Sequence, residues 1–194
     1  MEEQEFLEPF TLEKTSSTYT VYLDGEIREA GYYRYVCEIL RTSEPDDDFV
    51  FVFNTSGGNV DGMNSLLCAM KLTSSHVHGI LVGEAASAGS ALFLACDSFE
   101  VSPMASMMIH TASYAYGGKH TEVMSYVDSS REWIDKFINE TYSDFLPSEK
   151  LQKVKNGTDI YLNSDEITEY LHNFMEIKKA RIIEAAKKED PTLQ

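Results

Sequence analysis

Residues 49–53 read Phe-Val-Phe-Val-Phe, five consecutive strand formers with no polar residue among them. A strand wetted on one face alternates apolar with polar residues. A run apolar throughout is expected where both faces of a sheet are covered, as in a parallel sheet flanked by helices. This run ends in Asn54-Thr-Ser-Gly-Gly58. A second apolar run, 77–82, ends in the small residues Gly83-Glu-Ala-Ala-Ser-Ala-Gly89. Helical character follows each one. Met63, Leu66, Leu67 and Met70 form one stripe at spacings of three and four, and 88–96 is apolar and rich in helix formers. Strand, turn of small residues and helix, repeated, define an α/β layer fold with right-handed crossovers.

The remaining segments extend this pattern. Residues 18–23, Thr-Tyr-Thr-Val-Tyr-Leu, predict a strand. Residues 29–41 carry Tyr33, Val36, Cys37 and Leu40 at helical spacing, and an acidic loop follows at 44–48. Residues 104–110 predict a strand with His110 at its end, and 112–118 a loop or exposed hairpin. A long helical stretch occupies 119–145, apolar on more than one face. Pro147 opens a shorter helix that Asn156-Gly157 stops. Residues 158–162 are a short extended piece, and Asn163-Ser-Asp-Glu166 resembles a capped helix start. The expected organisation is an acidic arm or tail at 1–16, one domain at 17–172 and a charged helical tail at 173–194.

Charge narrows the partners. The chain has 194 residues, with 16 basic against 32 acidic and a net charge of −16. Such a surface repels phosphate backbones and anionic lipid, so neither nucleic acid nor membrane is expected as a partner. No apolar stretch approaches the roughly 20 residues of a membrane span. The acidic start is unlike a secretory leader, so a cytoplasmic location is expected. Cys37, Cys68 and Cys96 stand far apart in apolar surroundings with no Cys-x-x-Cys pair. They are expected to be buried free thiols, and neither a metal nor a cofactor is called for.

Chemistry concentrates at strand ends, where sheets of this kind build sites. Ser87 falls where a strand gives way to a helix, so its side chain can stand clear beside unpaired amides of the first helical turn. Ala85-Ala-Ser-Ala-Gly89 approaches the Gly-x-Ser-x-Gly nucleophile elbow without matching it. Gly57-Gly58 ends another strand, His110 a third, and Asp159 follows later. Taken singly, each has a plain structural use: a cap, a turn, a strand-end histidine. His76, His78, His120 and His172 lack such a context and are expected at the surface.

In order and separation, Asn54-Thr-Ser-Gly-Gly58, Ala85-Ala-Ser-Ala-Gly89, Met108-Ile-His110 and Asp159-Ile-Tyr-Leu162 with the helix start after it are similar to the signatures of the Clp protease proteolytic subunit. That family consists of serine peptidases of the Clp/crotonase superfamily. The resemblance covers about residues 20–171 and implies a fold of repeated β-β-α units with a protruding long helix at about 119–145. By the same resemblance Ser87 is the nucleophile, His110 the general base and Asp159 the orienting carboxylate, with an oxyanion hole from the amides of Gly58 and Ala88. It further implies a homo-oligomer of one or two seven-membered rings enclosing the sites, unfolded polypeptide as substrate and an AAA+ unfoldase as partner.

The chain departs from the family pattern in places, as a divergent member would. Ser56 stands in place of a proline, Ala88 in place of a methionine and Thr111-Ala112 in place of Gln-Pro. The closing glycine near Tyr170-Leu171-His172 is missing. Three alternatives share the frame. One is a crotonase-like acyl-CoA enzyme using the same paired amides, and another a non-proteolytic ring subunit. The third is a serine–lysine dyad that leaves His110 and Asp159 idle.

Overall fold

A computed structural model describes residues 16–189. The expected acidic arm lies almost wholly outside them. Strand β1 (Thr18–Leu23) leads through a 3-10 turn (Ala30–Tyr33) into helix α1 (Arg34–Thr42). Then come β2 (Asp48–Thr55), α2 (Val60–Leu72), β3 (His76–Ala86), α3 (Ala88–Leu94), β4 (Ser98–Val101) and β5 (Ser106–Ile109). Helices α4 (His120–Tyr142) and α5 (Ser148–Lys155), strand β6 (Ile160–Asn163) and helix α6 (Ser164–Glu189) complete the order.

The described strands form one sheet, ordered β1-β2-β3-β5-β6, with β4 also on β3. Strand β3 is long because one of its edges serves two partners. Residues 78–81 pair with β4, and residues 84–86 pair with β5. Those pairings are parallel, but β6 runs antiparallel to β5, so the sheet is mixed rather than wholly parallel. The four-residue strand β4 is too short to show a period and is not foreseen from the sequence.

Phe49, Phe51 and Phe53 are buried against Leu66, Leu81, Leu92 and Phe93, with the Phe53 and Phe93 rings edge to face at 5.3 Å. Val50 and Val52 depart from the expectation of two covered faces, since both are only half-buried. They share their face with Ile80, Val82 and Tyr22, the last two being 45% and 65% exposed. The core helices cover the phenylalanine face alone. The apolar run thus has one face covered by helices and the other half-open.

Helix α4 projects from the body: its first buried residue is Ile138, followed by Tyr142. Residues 112–118 form a loop with no strand. Helix α6 opens on a reciprocal cap, in which Asn163 Oδ1 accepts the Glu166 N–H at 3.0 Å and the Glu166 carboxylate accepts the Asn163 N–H at 3.2 Å. The helix then runs unbroken through the boundary expected at residue 172. Its charged part docks back, because Lys178 Nζ donates to the Cys96 carbonyl at 2.8 Å and Arg181 pairs with Asp144.

The thiols correct the sequence reading: Cys96 is buried, Cys37 half-buried and Cys68 exposed near the end of α2. Among the other histidines, His78 is half-buried, sharing the Ser98 hydroxyl with His76. Among the described residues, no helix is long and apolar enough to cross a membrane. Nor are three or more His, Cys, Asp or Glu grouped to hold a metal ion.

Candidate active site

Ser87 occupies the single residue between β3 and α3. Its φ of 52° is the one positive value at a non-glycine among the described residues. Such a conformation costs about 1–3 kcal/mol and persists only where its surroundings impose it. Here the surroundings do so from both sides. The Ser87 N–H donates to the Met108 carbonyl at 2.8 Å, joining the corner to β5. The Ser87 carbonyl accepts two bonds from Ser90, from its N–H at 3.0 Å and from its Oγ at 2.7 Å.

The same ladder positions His110. Ala86 pairs with Met108, and His110 lies two residues further on, just past β5. Its Nε2 is 2.7 Å from Ser87 Oγ, within hydrogen-bonding distance for proton transfer. Asp159 sits just before β6, past the same end of the β5–β6 ladder as His110. Ile109 pairs with Ile160, so continuing the antiparallel register by one residue sets Asp159 opposite His110. The Asp159 side chain is exposed and makes no hydrogen bond to His110. The structure thus joins the serine to the histidine and leaves the carboxylate beside them, unengaged.

The two amides flank the corner. Gly58, at φ 147°, forms an isolated parallel bridge with Ile27. Ile27 N–H donates to the Gly57 carbonyl and Asn59 N–H to the Ile27 carbonyl, both at 2.8 Å. That bridge uses the groups on either side of the Gly58 N–H and leaves the N–H itself without a partner. Ala88 opens α3, so its N–H is also unpaired, as first-turn amides are.

Gly57 is the wall between turn and corner. A Cβ there would lie 2.6 Å from the Ala86 carbonyl oxygen and 2.7 Å from the Ser87 Cβ, at a φ of +91°. Gly57→Ala is therefore expected to cost about 2–5 kcal/mol through overpacking and strain. A thermal melt checks the loss. A melt within experimental error of wild type would mean that the two segments are not locked together.

Three further residues support this site without being singled out by the sequence. Thr55, buried, accepts the Gly57 N–H at 3.1 Å and donates to the Gly25 carbonyl, pinning the glycine turn. Ser90 and Tyr142 are buried and hydrogen-bonded to each other at 2.8 Å. A hydroxyl two residues before the glycine pair was visible in the sequence. Nothing marked residues 90 and 142 as neighbours, because 52 positions separate them.

Burial pushes the Tyr142 phenol up to about 12 and raises the Cys96 thiol as well. Both groups stay neutral in the fold and ionise sooner in the unfolded chain. The stability contributed by Tyr142 is thus whole below the unfolded phenol's value near 10 and is lost as pH climbs toward 12. Urea midpoints are expected to fall over that window, and to fall less for Tyr142→Phe. An equal fall in both proteins would contradict this.

The fold and the strand-end corner define an α/β layer protein built around a serine–histidine pair. The Clp protease family model matches residues 11–171. The chain belongs to the Clp protease family, and its matched region is that of a Clp-type peptidase.

Proposed function

We propose that this protein is a serine endopeptidase in which Ser87, His110 and Asp159 form the catalytic triad and the Gly58 and Ala88 amides form the oxyanion hole. The observation that carries the reading is the 2.7 Å contact between His110 Nε2 and Ser87 Oγ, beside two amides with no partner. A serine hydroxyl attacks a peptide carbonyl only as its proton leaves, and the imidazole takes that proton. The carbonyl oxygen gains the displaced electron pair and is held by the Gly58 and Ala88 N–H groups. The imidazolium then returns its proton to the leaving amine as the C–N bond breaks, leaving an acyl-serine. Water attacks the acyl group next, again losing its proton to His110, and the serine is regenerated.

Asp159 completes the set by turning toward His110 Nδ1. Opposed residues of an antiparallel pair have Cα atoms about 4.5–5.5 Å apart, which a carboxylate rotamer change spans. Catalytic hydrogen bonds are often unformed before substrate or assembly brings the groups together.

The active form is a cytoplasmic homo-oligomer, a heptameric ring or stacked pair of rings, acting on unfolded polypeptide delivered by an AAA+ unfoldase. The half-open sheet face with Val50, Val52, Ile80 and Val82 supports a neighbour covering it, as do Met124, Tyr126 and Trp133 exposed on α4. The peptidase body is 17–172, with the later part of α6 as its tail. Serine–lysine chemistry is not favoured, because Ser87 Oγ bonds to an imidazole. Acyl-CoA chemistry needs no such pair.

Fluorogenic peptides and native mass spectrometry test both halves. The expected result is hydrolysis by a species of about seven or fourteen chains, the ring sizes this reading assigns. Binding of an acyl-CoA by a protein inert to every peptide would overturn the peptidase reading.

A further inference from the structure

We propose that Tyr142 and Ser90 are positioning residues that set the direction and strength of the Ala88 oxyanion-hole amide. The proposal rests on the peptidase reading above and deepens it. Its basis is a chain of hydrogen bonds whose donors can be assigned without seeing a proton. Ser90 Oγ is 2.7 Å from the Ser87 carbonyl oxygen, which can only accept, so the one hydroxyl proton of Ser90 points there. Tyr142 Oη is 2.8 Å from Ser90 Oγ, and with that proton already committed the phenol must be the donor. The order is Tyr142 O–H to Ser90 O–H to the Ser87 carbonyl. The Ser90 N–H adds a second bond to the same carbonyl at 3.0 Å.

The Ser87 carbonyl and the Ala88 N–H are the two ends of one planar trans peptide, so they point in opposite directions. Three consequences follow from loading the carbonyl end. Its direction is fixed by two donors, which fixes the direction of the N–H. The peptide cannot rotate to turn a carbonyl into the hole without breaking both bonds. Electron density drawn toward the carbonyl oxygen leaves the N–H a better donor, because linked hydrogen bonds polarise one another. Ser90 and Tyr142 have relative exposures of 0% and 2%, so no water competes for these bonds. The phenol, with its pKa raised by burial, keeps its proton at any working pH.

Tyr142 is the last residue of α4, and Ser90 lies in the first turn of α3. The hydroxyl pair therefore carries the position of the long helix's inner end to the nucleophile corner. Nothing else in the packing of Tyr142 needs a hydroxyl. Its ring stands edge to face on Phe137 at 6.2 Å, and phenylalanine would fill the same space.

The test uses the full-length assembled protein with Tyr142→Phe, Ser90→Ala and the double variant. For each, kcat and KM are measured on one fluorogenic peptide, with the inhibition constant of a peptide aldehyde, whose hemiacetal oxygen occupies the oxyanion position. Losing a whole hole donor costs about 10²–10³-fold, so a donor left in place but loosened is expected to cost about 5-fold in Tyr142→Phe and about 20-fold in the double variant. The loss should fall on kcat, with KM within about twofold, and aldehyde affinity should fall by the same factor as kcat/KM.

Ser90→Ala strands the Tyr142 hydroxyl in the core and risks misfolding. The double variant leaves no orphan and keeps the test open. Variants that melt earlier but retain wild-type kcat and aldehyde affinity would reduce both residues to packing and overturn the proposal alone. So would a change confined to KM. A wild type inert to peptide and aldehyde alike overturns the peptidase reading and this inference with it.

Discussion

His110→Ala is expected to lower peptide hydrolysis by about 10⁴- to 10⁶-fold, with secondary structure and assembly unchanged. The size follows from what remains. Ser87 keeps its strained corner, and both amides stay in place, so a bound carbonyl is still polarised. What is lost is the acceptor 2.7 Å from the hydroxyl, and with it both the proton removal from Ser87 and the proton return to the leaving amine. Packing gives no reason for collapse, because His110 is only half-buried and its one hydrogen bond is to the serine. Steady-state kinetics beside circular dichroism and native mass spectrometry measure both halves. A variant retaining activity within tenfold of wild type would remove the imidazole from the mechanism.

The second large effect concerns Asp159. Asp159→Asn is expected to cost about 10⁴-fold in kcat, the penalty of leaving the imidazole in the wrong tautomer with no charge to steady its protonated form. The substitution preserves shape and leaves an exposed position exposed, so stability should barely change. The result also decides what the geometry leaves open. In the described chain the carboxylate stands opposite His110 by register yet does not bond to it. A loss of about 10⁴ means that substrate or assembly brings the two together. A loss under about tenfold would mean that a serine–histidine dyad suffices and that Asp159 is a turn residue. Rate measurements on the assembled protein, with the melt as control, distinguish the two.

The sequence exposes the strand-turn-helix order because each signal there is local. Phe49, Phe51 and Phe53 mark a strand by composition, and the small residues from Gly83 to Gly89 mark a close approach whatever lies opposite. The separations of the glycine pair, Ser87 and His110 could be read in the same way. What stayed hidden depends on distant partners. The antiparallel direction of β6 is set by how α5 returns the chain to β5, which no window of residues 158–162 contains. Strand β4 offers four residues and no period. The helical tail past residue 172 was legible, but its docking through Lys178 and Arg181 onto Cys96 and Asp144 was not, since such contacts are invisible in a charged stretch. Cys68 looks buried by its neighbours in sequence, but it falls on the outer side of α2.

The coverage of the sheet teaches a related lesson. Val50 and Val52 alternate with phenylalanines and are also apolar, yet the fold leaves them half-buried. Composition marks a residue as apolar but not which face of the sheet a helix covers, so reading burial from composition overstates it at Val50 and Val52. Thr55, Ser90 and Tyr142 illustrate the opposite limit. They are ordinary residues in sequence, and they support the site only through bonds to backbone and to one another.

The claim at the centre is that the Ser87 hydroxyl is a nucleophile activated by its setting. Treating the assembled protein with a fluorophosphonate and locating the adduct by peptide mass spectrometry tests it most directly. The account predicts one phosphonylated residue per chain, Ser87, with labelling abolished in Ser87→Ala and strongly slowed in His110→Ala. A label on a different residue, or none on a correctly assembled wild type, would contradict it.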